Sequence, residues 1–133
     1  MPGENEHKFY RINYANPDMC GHTGLIEETT QSIVTMDAQV KRVVDATLEK
    51  NGAVMIMADH GNCEVMIDKK GGIVTSHTTN PVPFFVIDPS NSFKVDVKGI
   101  KRPALTNVAA TVCSMLGFEP PAIYDRTMAA ATA

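Results

Sequence analysis

Ala53-Val54-Met55-Ile56-Met57-Ala58-Asp59-His60-Gly61-Asn62 decides how this 133-residue chain is read, because an unbroken apolar run passes directly into a carboxylate, an imidazole and a glycine. Six apolar residues without polar alternation read as a strand buried on both faces, the kind used in parallel sheets. Asp59 and His60 then fall at its carboxyl end, where open α/β sheets gather polar ligands. Just upstream, Ile33, Met36, Val40, Val43, Val44 and Leu48 recur at helical spacing between Thr29 and Lys50. Thr29 or Thr30 is a candidate N-cap for that helix, and Asn51-Gly52 a stop.

Working outward, Phe9 to Tyr14 is rich in aromatic and branched residues and reads as a short strand ending at Asn16-Pro17. Cys63 to Asp68 and Ile73 to Ser76 flank Lys69-Lys70-Gly71-Gly72, the pattern of a hairpin that returns His77 toward His60. Val82 to Ile87 is another short apolar strand, closed by Asp88-Pro89-Ser90. Leu105, Val108, Ala109, Val112 and Leu116 form a second helical stripe that stops at Gly117 and Pro120-Pro121. The Ala-rich tail from Thr127 is expected to fray. No repeat or low-complexity linker divides the chain, and the order of elements implies a single α/β domain with helices on the sheet faces and one hairpin.

Composition narrows the functions. With 44% hydrophobic and 20% charged residues the chain is of ordinary globular type. Twelve Lys and Arg against 15 Asp and Glu give a net charge of −3, with no basic run, so nucleic acid is not an expected partner. The apolar runs are far shorter than the roughly 20 residues that span a bilayer, so no membrane association is expected. The start from Met1 to Lys8 is polar, which does not indicate secretion. Three cysteines, Cys20, Cys63 and Cys113, form no CxxC pair, which argues against a disulfide framework or a thiolate zinc site and for a reducing, cytoplasmic setting.

Three of the four histidines lie in short polar clusters: Asn16-Pro17-Asp18-Met19-Cys20-Gly21-His22-Thr23-Gly24, Ala58-Asp59-His60-Gly61-Asn62, and Ser76-His77-Thr78-Thr79-Asn80-Pro81. Each has a hydroxyl, amide or carboxylate neighbour able to orient the ring. Taken singly, Asp18 reads as a turn residue, His60 as a satisfied core histidine and His77 as the end of a hairpin. Their convergence at strand ends favours a cation site. Carboxylates mixed with imidazoles suit Mn²⁺ or Zn²⁺ better than Ca²⁺ or Mg²⁺, and two cations would clamp a phosphoryl group. Asp18 and His22 are four apart, but Pro17 and Gly21 point to a loop rather than a helix. Cys20 and Cys63 are expected to pack beside the ligands. His7 is given no role.

In these clusters the chain resembles the carboxyl-terminal part of the cofactor-independent (2,3-bisphosphoglycerate-independent) phosphoglycerate mutases, members of the alkaline phosphatase superfamily. The similarity runs from about Phe9 to near Met128 and includes Leu116-Gly117-Phe118-Glu119-Pro120. It implies a partial alkaline-phosphatase-like sandwich with a mostly parallel sheet, flanking helices and one hairpin. It also implies two divalent cations, Mn²⁺ in preference to Zn²⁺, Co²⁺ or Mg²⁺, with Asp18, His22 and His77 as one complete ligand set and Asp59 and His60 as half of the other.

In that family a serine takes the phosphoryl group of 3-phosphoglycerate and returns it to the 2-hydroxyl. The nucleophile serine, a further metal-ligand Asp and the substrate-binding domain belong to upstream sequence. No serine here matches the nucleophile motif, so the resemblance implies no catalytic and no substrate-binding residue within residues 1–133. The chain alone is expected to be inactive, its partners being the phosphoglycerate substrate and the amino-terminal part of the enzyme. Two other readings remain: another phosphomutase or phosphohydrolase of the superfamily, against which Thr78-Thr79-Asn80-Pro81-Val82-Pro83 argues, and a non-catalytic metal-binding module.

Overall fold

A computed structural model describes residues 8–132, which fall into two compact units. Asn13–Pro89 form one, and Ser90 onward together with the residues up to Ile12 form the other. No compositional linker marks the boundary. His7 lies outside the described residues.

In the first unit a short helix, α1 (Asn16–Gly21), leads into a long one, α2 (Ile26–Leu48). The loop expected around Asp18 is therefore helical. Pro17 lies in the first turn, where its missing N–H has no intrahelical partner to lose, and Gly21 comes only at the last position. Helix α2 begins earlier than the threonines suggested, its N-cap being Leu25 and not Thr29 or Thr30. Thr29 and Thr30 do not cap it: their hydroxyls donate back to the carbonyls of Leu25 and Ile26 at 2.7 and 2.8 Å. Glu27 and Glu28 in the first turn suit the positive end of the helix dipole. The stop is as expected: Asn51 takes φ +57°, while Asn51 N–H donates to Leu48 O and Gly52 N–H to Thr47 O, both at 2.9 Å.

Strand β1 (Val54–Met57) packs against α2 and pairs with β2 (Phe84–Ile87) in the register Val54↔Ile87 to Met57↔Phe84. The α/β class with flanking helices stands, but the pairing is antiparallel, not parallel. A parallel return needs a crossover, usually a helix, and residues 58–83 contain none. Nor is β1 buried on both faces, since all four residues are partly or well exposed. The hairpin is present in reduced form. It has one bridge, Ile67↔Ile73, flanked by Val74 N–H to Met66 O at 2.9 Å and Asp68 N–H to Gly72 O at 2.8 Å, with Gly71 at φ +83° in the turn.

The second unit pairs β3 (Phe93–Val95) with β4 (Ala129–Ala131), also antiparallel. The tail expected to fray is thus a strand, because a ladder is made by backbone groups and asks nothing of the alanine side chains beyond small size. Residues 9–15 form no strand. Their aromatic and branched composition suits a pleated surface but does not by itself provide a strand to pair with. The second helical stripe becomes a 3₁₀ turn (Leu105–Asn107) running into α3 (Val108–Met115), ended by Gly117 at φ +80°. Buried Asn107 ties this unit together: its amide donates to Arg126 O at 2.8 Å, and its Oδ1 accepts Ala104 N–H at 2.9 Å. Buried Thr111 accepts Met128 N–H at 2.9 Å. No helix among the described residues is long and apolar enough to cross a membrane.

Candidate metal centre

The first unit brings all three clusters to one end. Because α1 is helical, Asp18 and His22 share a face one turn apart, and His22 N–H donates to Asp18 O at 3.1 Å. Asp59 and His60 follow β1 after a single residue. Thr78 N–H donates to Gly61 O at 2.9 Å in an isolated antiparallel bridge, which sets His77 beside His60.

One carboxylate oxygen is the hub. Asp18 Oδ1 lies 3.0 Å from His77 Nε2, 3.3 Å from His22 Nε2 and 4.0 Å from His60 Nε2. His22 Nε2 and His77 Nε2 are 3.0 Å apart, and the His60 and His77 rings stack with centroids at 3.7 Å. Asp18, His60 and His77 can each turn one ligand atom within 4.8 Å of the others, so this triad is able to hold a cation. Asp59 stands at the rim, with a side chain 76% exposed and Oδ1 3.6 Å from His60 Nε2. Every residue singled out as a ligand therefore belongs to one constellation.

The donor chemistry fits a cation. His22 Nδ1 is 2.6 Å from the Thr75 carbonyl, which can only accept, so Nδ1 carries a proton and Nε2 is the atom left to face Asp18 and His77. Carbonyl contacts of this kind are what orient ligating imidazoles in metal proteins. Ligand atoms bonded to one transition metal at roughly 2.0–2.2 Å must approach one another about as closely as these do. Burial pushes the Asp18 carboxyl up, but the Asn62 amide at 2.9 Å and the imidazoles of His22, His77 and His60 outweigh it and hold it below the usual carboxylate range.

Sequence reading named Asn62, Thr78 and Asn80 only as neighbours able to orient the rings, and passed over Glu64. Asn62 is 6% exposed, donates to Asp18 Oδ1, and has its own Oδ1 buried without a partner among the described residues. A Cβ on Gly21 would strike that oxygen, which explains a glycine there. Glu64 accepts from Asn62 N–H at 2.6 Å, from Asn80 Nδ2 at 3.0 Å and from the Thr78 hydroxyl. The Thr78 bond, working against burial and helped by the backbone and Asn80, holds the Glu64 carboxyl below its ordinary value. The signal in the sequence was the spacing: Asn62 and Glu64 follow His60 by two and four, and Thr78 and Asn80 follow His77 by one and three. Cys63 packs beside the site as expected, its thiol donating to Pro17 O at 3.0 Å. Burial, then the charges of Asp18 and Glu64, push that thiol's pKa up, which keeps it protonated and unsuited to ligation.

Comparison with known proteins agrees with this chemistry. The family model of the metalloenzyme superfamily matches residues 2–120. The chain is 41% identical over 137 aligned residues to a probable 2,3-bisphosphoglycerate-independent phosphoglycerate mutase of Leptospira interrogans, covering 94% of this chain and 25% of that protein. It is 47% identical over 119 residues to the 2,3-bisphosphoglycerate-independent phosphoglycerate mutase of Acetivibrio thermocellus, covering 89% and 22%. A crystal structure of Leishmania mexicana phosphoglycerate mutase, determined at low cobalt concentration, superposes with a TM-score of 0.80 at 34% identity, over 92% of this chain and 25% of that one. The chain thus spans about a quarter of the length of these relatives. It belongs to the metalloenzyme superfamily, and within it is similar to the 2,3-bisphosphoglycerate-independent phosphoglycerate mutases.

Proposed function

We propose that this chain is the carboxyl-terminal part of the metal-binding domain of a cytoplasmic phosphoglycerate mutase that interconverts 3- and 2-phosphoglycerate through a phosphoserine. The observation that carries the reading is the single oxygen, Asp18 Oδ1, facing three imidazole Nε2 atoms at 3.0–4.0 Å. Asp18, His22 and His77 would hold one divalent cation, Mn²⁺ by preference; their mutual spacings of 3.0–3.3 Å support that grouping. Asp59 and His60 would supply part of the shell of a second. Such cations neutralise phosphoryl charge and lower the pKa of an attacking hydroxyl.

This chain's own residues present lone pairs at fixed positions. Thr75 O keeps the His22 proton on Nδ1, and Asn62 holds Asp18 Oδ1 toward the rings. The nucleophile and the groups that hold glycerate lie, on this reading, in the three quarters of the relatives that the chain does not span.

Calorimetric titration with Mn²⁺ should find one site clearly tighter than any other. His77→Ala should weaken that site by more than the roughly 10- to 100-fold loss typical of outer partners, with far-UV circular dichroism unchanged. Adding the amino-terminal part of such a mutase together with Mn²⁺ should restore conversion of 3- to 2-phosphoglycerate. A folded complex that stays inactive on both phosphoglycerates, but turns over another phosphate ester, would move the chain to a different branch of the superfamily.

A further inference from the structure

We infer that Glu64 is a positioning residue of the cation centre, its carboxylate clasping the loop of His60 to the loop of His77. The two loops are polar, the His60 loop carries Gly61, and the side chain of His77 is 46% exposed, so apolar packing does little to fix the rings. Beside the single backbone bridge between Gly61 and Thr78, what joins the loops is Glu64. Its Oε2 takes the backbone N–H of Asn62, two residues after His60, at 2.6 Å. Its Oε1 takes the hydroxyl of Thr78, next to His77, and the amide of Asn80 at 3.0 Å.

A carboxylate is an acceptor-only group with two oxygens, so one side chain satisfies donors on both loops at once. The backbone bond from Thr78 to Gly61 closes the same ring of contacts. Gly61 supplies an independent sign of fit: a Cβ there would collide with both Glu64 Oε1 and Thr78 Oγ1, so the clasp occupies the space a side chain would need. Through Asn62, whose amide reaches Asp18 Oδ1, the clasp extends to the hub itself. Charge-assisted bonds of this type are the stronger class, and at this position their consequence is the stacking of His60 on His77.

The consequence for cation affinity rests on the metal reading above, whereas the clasp can be read without any cation. In the cation-free chain, the stacked rings shift one another's carbon-bound ring protons in NMR spectra. Glu64→Gln, which keeps size but replaces an acceptor by a donor, should move the His60 and His77 signals toward unstructured values. It should also weaken Mn²⁺ binding by about tenfold. Thr78→Val, which removes only the hydroxyl, should do the same to a smaller degree. Asp68→Asn is the control, because Asp68 also accepts nearby backbone N–H groups, those of Lys70 and Gly72, but in the hairpin turn. It should lower Tm and leave ring signals and affinity alone.

The inference is overturned if Glu64→Gln and Thr78→Val leave ring signals and Mn²⁺ affinity within twofold of wild type, or if Asp68→Asn changes them equally. Should Glu64→Gln fail to fold, Thr78→Val decides. If the wild-type chain takes up no Mn²⁺ yet its ring signals respond to both substitutions, the clasp stands and the metal reading falls.

Discussion

Within the Asn13–Pro89 unit, the loop end and the ladder end are built on opposite terms. At the loop end, Gly21, Gly24, Gly61 and Asn62 are buried, and side chains from three segments share hydrogen bonds through Asp18 and Glu64. At the ladder end, β1 and β2 make four backbone pairs, yet Phe85 is 57% exposed and Met57 36%. Two strands without further neighbours are marginal in water. The contrast teaches that the hydrogen bonds orienting the site are made among these residues, whereas the β1–β2 ladder leaves much of its apolar surface exposed. A constellation of ligands can be organised by short-range hydrogen bonds even where the sheet beneath it carries little core.

If the loop end is organised by close polar contact, filling the tight gap at Gly61 should break it. Gly61→Ala puts a methyl where Glu64 Oε1 and Thr78 Oγ1 now sit. The Glu64 carboxylate is free to swing aside, but only by releasing Thr78 and Asn80. The expected cost is about 1–3 kcal/mol, together with lost stacking of His60 on His77, measured by urea denaturation and by NMR. Gly71→Ala makes the contrasting case in the same unit. Nothing lies within 4 Å of the added methyl, and the only penalty is a backbone at φ +83°, about 1 kcal/mol. It should lower stability while the histidine signals stay in place. Equal effects on the site from both substitutions would erase the distinction between the two ends.

The same contrast explains what was legible beforehand. All five ligand candidates stood out because Asp and His beside Gly or Pro mark polar segments, and those segments do converge, although Asp18 and His22 do so on a helix that no strand precedes. The helix stop at Asn51-Gly52 was visible because a left-handed residue after an apolar stripe is a local signal. Strand direction was not, since pairing of β1 with β2 is decided by the path of residues 58–83, which no window of sequence displays. Likewise the strand at Ala129–Ala131 has no side-chain signature; its existence depends on the Phe93–Val95 edge that receives it. Glu64 was passed over for a related reason. In sequence it reads as one charge in a hairpin arm, and its meaning lies in donors 14 and 16 residues away.

A smaller effect, also at the loop end, concerns acid. The folded-state pKa of Glu64 is depressed, so its contribution to stability is fully present above the unfolded value of roughly 4.3 and is lost as pH falls through the folded value. The Tm difference between wild type and Glu64→Gln should therefore be constant near neutrality and shrink below about pH 4. Because Glu64 is exposed and screened, the difference should be a modest one, and adding salt should reduce it. A gap that widened on acidification would show that the carboxylate is not held in its charged form.

The smallest effect is expected at the ladder end. Phe85 projects from β2 with more than half its surface in water, so Phe85→Ser removes little buried area and costs this chain within about 0.5 kcal/mol. Aggregation should fall, because an exposed apolar strand face invites association. The outcome reverses if the amino-terminal part of a mutase is added and the face becomes covered. The serine should then weaken assembly, by an amount scaling with the area the phenyl ring newly buries at about 25 cal/mol per Å². A substitution silent in the chain alone and costly in the complex would show that the apolar half of this unit is completed from outside it. One costly in the chain alone would show that the ladder end is self-contained after all.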